Sequence, residues 1–375
     1  MKRGYVYRLE VPHREPMSIR GYVFGDEQRE RSCAIVGATR GNEAQQAYIC
    51  AKLVARLTQL ELAGALDPNK SILVVPCVNP YSMNIRSRFW PANGTDINRM
   101  FPGDEHGRTT ERIAAGMMRV LRTYAMGIQL CSFHQPGDFL PHVRVTHQGS
   151  LSDESLQLAV DFGLPYVMHR KPTHIDTTTL NYAWQAEGTH AFSLYSRATD
   201  RLDERSAREV EDATLRFLAA RGILRPADGE GCFDDAVGVA AGAPWAAGTR
   251  DAAGAPWAAG TRNEAGTRDA AGAGEEPGTP EARDAAGAGD EPGTPKILEE
   301  SELVNVRTEG AAGFFVPTVQ AGDYVHVGQE LAQIRDAFDA HPLKSLNAPV
   351  NGRVFFMRKE PLVQQHMVVF RIVAT

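Results

Sequence analysis

Apolar and polar positions along the chain follow the periods of short strands and amphipathic helices. Tyr5, Tyr7 and Leu9 alternate with polar neighbours, and Ile19, Tyr22 and Phe24 lead to the turn Gly25-Asp26, so residues 1–30 read as two strands joined by turns. Ala34–Val36 is an unbroken apolar run, as in a buried strand. It breaks at Gly37, and after Asn42 a helical pattern begins, with Ala47, Ile49, Cys50, Leu53 and Val54 on one face as far as Leu62. Gly64 and Asp67-Pro68-Asn69 end that helix, and Ser71–Pro76 is a second buried strand whose strand–helix–strand spacing implies a parallel pair. Further helices are predicted over Thr109–Met126, Asp153–Phe162 and Arg205–Arg221. Further strands are predicted from Gly127 to His134, over Pro141–Val145 and Leu164–Met168, and over Ala191–Ser196. Strands and helices in this order make an α/β fold, whose chemistry sits at the carboxyl ends of strands.

The pattern then changes. Residues 226–296 carry exact short repeats: 241–250 recurs at 253–262, and 268–280 recurs almost unchanged at 283–295. Rich in Gly, Ala and Pro, this insert cannot bury a core and is expected to be disordered. Residues 297–375 return to short apolar runs separated by turn signals, among them Gly313-Phe-Phe-Val-Pro, Gly352-Arg-Val-Phe-Phe and Val368-Val-Phe-Arg-Ile-Val, which predict a small all-β module. Three regions follow: an α/β domain over 1–225, the insert over 226–296 and the β module over 297–375.

Composition adds mainly exclusions. The 375 residues are 43% hydrophobic and 23% charged with a net charge of -6, ordinary for a globular protein and unsuited to nucleic acid or an anionic membrane surface. The start of the chain runs into alternating residues with no apolar leader, and no apolar run is long enough to span a membrane, so a cytoplasmic protein is expected. Five cysteines without a CxxC pair, most of them in apolar runs, read as reduced core residues.

Candidate chemistry gathers at three places. Glu43 stands in the first turn of its helix, where Asn42 is the expected cap and a carboxylate suits the dipole; by itself it is an ordinary helix-start charge. The stretch from Asn79 to Gly103 is too long for a tight connection and carries Arg86, Arg88, Asn98 and Arg99. Guanidinium forks bind carboxylate or phosphate in two-point fashion, so this loop suits an oxyanion; the alternative is a solvated basic loop. His134 falls at the end of a predicted strand, a place that is either structural or metal-binding.

Gly-Ala-Thr-Arg-Gly-Asn-Glu43 resembles the His-Gly-Asn/Asp-Glu element of the succinylglutamate desuccinylase/aspartoacylase family, a branch of the zinc carboxypeptidase (M14-like) superfamily. The run Asn-Pro, Arg-Phe-x-Pro and Asp-Ile-Asn-Arg-Met-Phe-Pro-Gly is similar to the same family's substrate loop in spacing and type. The resemblance implies a zinc-carboxypeptidase-like mixed sheet flanked by helices, with a C-terminal β domain similar to a biotinyl/lipoyl-type barrel. No carrier Met-Lys-Met element is present, so no biotin or lipoyl attachment is expected.

For activity, the resemblance implies a zinc-dependent hydrolase that cleaves an amide bond beside a carboxylate, in an N-acylamino acid or a peptide. It assigns zinc to Glu43 and His134, carbonyl polarisation to Arg88, and the substrate carboxylate to Asn98 and Arg99. The sequence departs from the family pattern at three positions. Arg40 stands where the first zinc histidine belongs, Ser132 replaces the carboxylate before His134, and Tyr195 falls at the general-base position. Guanidinium has no available lone pair and repels a dication. His142 is then the nearest substitute ligand, and Glu187 could serve as base only if its loop folded back. The competing expectation is a family member without metal that binds a small carboxylate through Arg40, Arg88 and Arg99. A homo-oligomer formed through the β module is a third expectation.

Overall fold

The computed structural model describes residues 1–10, 15–133, 135–146, 153–197, 201–225 and 295–375, which belong to one compact unit. The expected disorder of the insert therefore falls outside the described residues, except at its last two positions. In chain order the α/β part contains β1 (Lys2–Leu9), β2 (Met17–Gly25), β3 (Glu30–Ala38), α1 (Ala44–Leu62), β4 (Lys70–Cys77), α2 (Pro80–Asn84), α3 (Thr109–Leu121), β5 (Met126–Cys131), β6 (Gly137–Phe139), β7 (His142–Thr146), α4 (Asp153–Val160), β8 (Tyr166–Arg170), α5 (Leu180–Ala186), β9 (His190–Tyr195) and α6 (Glu204–Ala220). After the insert come β10 (Lys296–Glu299), β11 (Val304–Arg307), β12 (Gly313–Pro317), β13 (Tyr324–Val325), β14 (Glu330–Arg335), β15 (Pro342–Asn347), β16 (Gly352–Arg358), β17 (Leu362–Val363) and β18 (Val368–Ala374).

A nine-stranded mixed sheet in the order β1-β2-β4-β3-β5-β9-β7-β8-β10 forms the framework. Its centre, β4-β3-β5-β9, is parallel, and β7 runs antiparallel to β9. The apolar run in β3 is buried on both faces, as a parallel sheet covered by helices requires. Cys33 and Ile35 face one layer with Ile49, Leu53 and Leu57 of α1 and Val210 and Phe217 of α6. Ala34 and Val36 face the other, with Ile113 and Met117 of α3 and Trp184 of α5. The helix expected over Thr109–Met126 stops at Leu121, because Met126 is already paired with Cys33 in the sheet. Four cysteines, Cys33, Cys50, Cys77 and Cys131, are unpaired among the described residues. No helix among the described residues is long and apolar enough to cross a membrane.

The C-terminal strands form two antiparallel sheets, β11-β18-β16-β13 and β15-β14-β12-β17, closed around Phe315, Leu331, Ile334, Val354, Phe370 and Ile372. Two strand pairings tie this module to the α/β part. The short β6 pairs with β16, and β10 extends the large sheet beside β8. A shared apolar cluster, with Phe139, Tyr166, Met168, Leu298 and Phe356, fills the seam. The first residues after the insert therefore enter the large sheet before the chain turns into the module.

Candidate anion-binding site

The apolar strand β3 ends at Ala38, and Thr39–Glu43 makes the turn into α1. Asn42 is exposed; the residue at the N-cap position is Glu43, and its side chain makes no helix-cap bond. The carboxylate instead folds back over the turn and is buried. Its Oε2 accepts from the Thr39 amide at 2.9 Å, the Thr39 hydroxyl at 3.2 Å and the Arg40 amide at 3.0 Å. Its Oε1 accepts from Arg40 Nη1 at 3.0 Å and from Ser132 Oγ at 2.8 Å. Both oxygens are thus occupied by protein donors.

Arg40 lies between two carboxylates. Besides holding Glu43, its Nε donates to Asp96 Oδ1 at 3.1 Å and Oδ2 at 2.9 Å. Asp96 was not singled out in the sequence, yet it organises the loop. It caps the 3-10 turn Ile97–Arg99 through the Asn98 amide, and it accepts from Arg88 Nη2 at 3.1 Å. The charges therefore alternate along the chain of contacts Glu43, Arg40, Asp96, Arg88. Burial opposes the Arg40 charge, but Glu43 and Asp96 outweigh it and raise the guanidinium pKa.

A cavity of about 250 Å³ adjoins this network, with Arg40, Arg88, Asn98 and Arg99 in its lining. Asn98 Oδ1 accepts from Gln129 Nε2 at 3.1 Å and from the Leu180 amide at 3.2 Å, which fixes the loop to β5 and α5. Arg99 Nη1 donates to the Ile175 carbonyl at 2.6 Å. Burial and the neighbouring Arg40 charge lower the Arg99 pKa, a state that a bound anion would relieve. Arg86, also from this loop, is exposed and does not line the cavity.

The cavity is also lined by Arg144, Arg170, Asp176, Asn181, Tyr195, Glu300 and Arg371. Arg144 Nη1 donates to the Tyr195 hydroxyl at 2.8 Å, and its guanidinium lies 4.5 Å from the centre of that ring. Burial raises the Tyr195 pKa, so the residue at the expected general-base position stays a neutral phenol.

The sequence-derived metal set does not assemble among the described residues. His142 is fully buried, stacked on Tyr195 with ring centres 4.8 Å apart and packed against Phe133 and Phe355. It does not line the cavity. Its Nδ1 lies 2.9 Å from the Leu140 carbonyl, and burial together with Arg144 pushes its pKa down to about 3. His142 is thus a neutral histidine of the core, set outside the cavity lining. Glu187 stands at the C-cap position of α5, exposed and outside the cavity lining. His134 lies outside the described residues. Among the described residues, the one cluster of three metal-capable side chains is Asp336, Asp339 and His341 beside β14 and β15, away from this cavity. With Glu43 saturated and a guanidinium bonded to it, the described donors do not fit a dication.

Residues 29–221 match the succinylglutamate desuccinylase/aspartoacylase catalytic domain. The chain is 29% identical over 139 residues to the N-alpha-acetyl-L-2,4-diaminobutyric acid deacetylase of Halomonas elongata, a match covering 36% of this chain and only 38% of that protein's length. The fold is similar to that of a succinylglutamate desuccinylase/aspartoacylase from Rhodobacter sphaeroides, with TM-score 0.65 and 18% identity over 99% of this chain and 94% of the other. It is also similar to the product-bound ectoine utilization protein EutE (DoeB) from Ruegeria pomeroyi, with TM-score 0.66 and 16% identity over 100% and 95% of the two chains. The domain match takes in just over half of the sequence, from the start of β3 to the end of α6, and every residue of the Glu43–Arg40–Asp96–Arg88 network falls inside it. By that match the chain belongs to the succinylglutamate desuccinylase/aspartoacylase family, a family of amide-cleaving deacylases in the M14-like superfamily.

Proposed function

We propose that this family member binds a small carboxylate-bearing molecule, of the N-acylamino acid class, without zinc-dependent hydrolysis. One observation carries the reading: Arg40 is hydrogen-bonded to Glu43 where the family pattern calls for a zinc histidine. A cation at that point opposes a dication, and Glu43 has no free oxygen to offer it. The ligand carboxylate is received by Arg88 and Arg99, with Asn98 holding the loop between them. Arg40 is withdrawn from the ligand-binding set expected from the sequence, since Asp96 and Glu43 occupy it.

The zinc-hydrolase reading keeps one observation in its favour: the substrate loop of the family, with Arg88, Asn98 and Arg99, lines the cavity. It requires Arg40 to leave Glu43.

Metal content and ligand binding, measured on the same preparation, separate the two. The expected result is no zinc above background after dialysis against zinc, with calorimetric binding of N-acetylamino acids and no release of acetate. Stoichiometric zinc that is lost in Glu43→Ala, together with acetate release, would overturn the proposal. Arg40→His is expected to raise zinc affinity, because it replaces the blocking cation with an imidazole donor.

A further inference from the structure

Two carboxylates of the protein itself, Asp176 and Glu300, line the cavity. Glu300 follows β10 directly and is placed by the pairing of that strand with β8. Three arginines from three strands converge on it: Arg371 of β18 at 3.1 Å, Arg170 at the end of β8 at 3.6 Å, and Arg144 of β7 at 3.7 Å. Burial opposes the Glu300 charge, yet Arg144, Arg170 and Arg371 hold its pKa below the usual carboxylate value.

The fit is loose. Only the Arg371 contact is a hydrogen bond. The Nε atoms of Arg144, Arg170 and Arg371 and the Oε2 of Glu300 are buried without a hydrogen-bond partner. Arg170 also pairs with Asp176, through its Nη2. The same cavity is lined by Asn181, itself 5% exposed, whose buried Nδ2 lacks an acceptor. A buried donor left unmade costs free energy that a ligand oxygen can recover.

We propose that Glu300 determines specificity by acting as a resident carboxylate. It occupies this arginine cluster, so the cavity takes a ligand with one carboxylate, held at Arg88 and Arg99, and an uncharged remainder whose oxygen accepts from Asn181. Without Glu300 the three arginines form a second anion subsite, and the preference passes to dicarboxylates. This inference rests on the carboxylate-binding reading above.

The test compares monocarboxylates with α,ω-dicarboxylates of equal chain length, butyrate against succinate through hexanoate against adipate, by calorimetry on the full chain. The wild-type protein is expected to bind the monocarboxylate at least as well as its dicarboxylate partner. Glu300→Gln, which keeps the shape and removes the charge, is expected to raise the dicarboxylate-to-monocarboxylate affinity ratio by about tenfold or more for at least one length. An unchanged or falling ratio overturns the role of Glu300 while leaving the carboxylate site at Arg88 and Arg99 in place. Wild-type protein that binds none of these probes overturns both. If Glu300→Gln does not fold, the double variant Glu300→Gln/Arg371→Gln removes one charge of each sign. The same rise in ratio is expected there, and its absence counts against the proposal equally.

Discussion

The Nε of Arg40 reaches both carboxylate oxygens of Asp96, at 3.1 and 2.9 Å, across 56 positions of sequence, and the same guanidinium holds Glu43 at 3.0 Å. One cation thus bridges two buried acids, the second of which also pairs with Arg88, and joins the turn after β3 to the loop that carries Arg88. Removing one member of such a network leaves the others charged and unpaired, which is costlier than the network is stabilising. Arg40→Met is therefore expected to destabilise the protein by about 3–5 kcal/mol, measured by denaturant unfolding. A change within experimental error would mean that the two carboxylates find water or other donors.

Arg99 and Asn98 are neighbours with different consequences. Arg99 is half-exposed and makes its side-chain hydrogen bond to the Ile175 carbonyl, whereas buried Asn98 ties Gln129 to the Leu180 amide. Arg99→Ala is expected to weaken N-acetylamino acid binding by about tenfold or more with little change in stability. Asn98→Ala is expected to lose about 1–3 kcal/mol of stability by stranding buried donors. Calorimetric titration and unfolding curves on both variants test the division; equal effects on both readouts would contradict it.

Gly41 is required by a close approach of two backbones. A Cβ there would lie 2.1 Å from the Ser82 carbonyl carbon and 2.4 Å from the Ser87 oxygen. Gly41→Ala must therefore displace the segment that leads to Arg88. The expected result is a loss of about 1–3 kcal/mol, as for other overpacked sites, with weakened carboxylate binding. Wild-type affinity and stability in this variant would show that the segment moves freely.

His142 gives the protein an acid sensitivity. Its pKa is lowered from 6.5 to about 3 in the folded state, chiefly by burial. Between those values the unfolded chain binds the proton and the folded one does not. The stabilising contribution is thus complete above pH 6.5 and declines as pH falls toward 3. The slope from this single proton is at most about 1.4 kcal/mol per pH unit. Unfolding curves between pH 4.5 and 7.5 should be shallower in pH for His142→Asn than for wild type; parallel profiles would exclude His142 as the source.

The parts of the fold visible in the sequence are those with a strong local period. The apolar run of β3, the one-faced helices α1 and α6 and the turn-punctuated C-terminal strands all follow from residue spacing. Three of the loop residues singled out, Arg88, Asn98 and Arg99, do meet in the cavity. What the sequence hid was made by tertiary pairing. Asp96 reads as an ordinary turn residue until Arg40 is seen to fold onto it. Arg144, Arg170 and Arg371 lie on separate strands and Glu300 just after another, all with unremarkable neighbours, and only the order of those strands brings them together. The place of His142 was hidden for a related reason: a histidine in an alternating strand gives no sign of which ring will stack on it. Arg40, by contrast, announced the altered site from the sequence alone, because no folding can give a guanidinium a metal-binding lone pair.

Each of the two pairings that join the C-terminal module to the α/β part, β6 with β16 and β8 with β10, links a strand before residues 226–294 to a strand after them. The covalent link through that stretch is therefore not what holds the halves together. A chain divided there, and expressed as residues 1–225 and 295–375, has the interface needed to reassemble, and its cavity can be rebuilt only when the second fragment delivers Glu300 and Arg371. Ligand binding by the mixed fragments would then report on reassembly, making the insert a natural place at which to cut the protein in two and rejoin it without a bond.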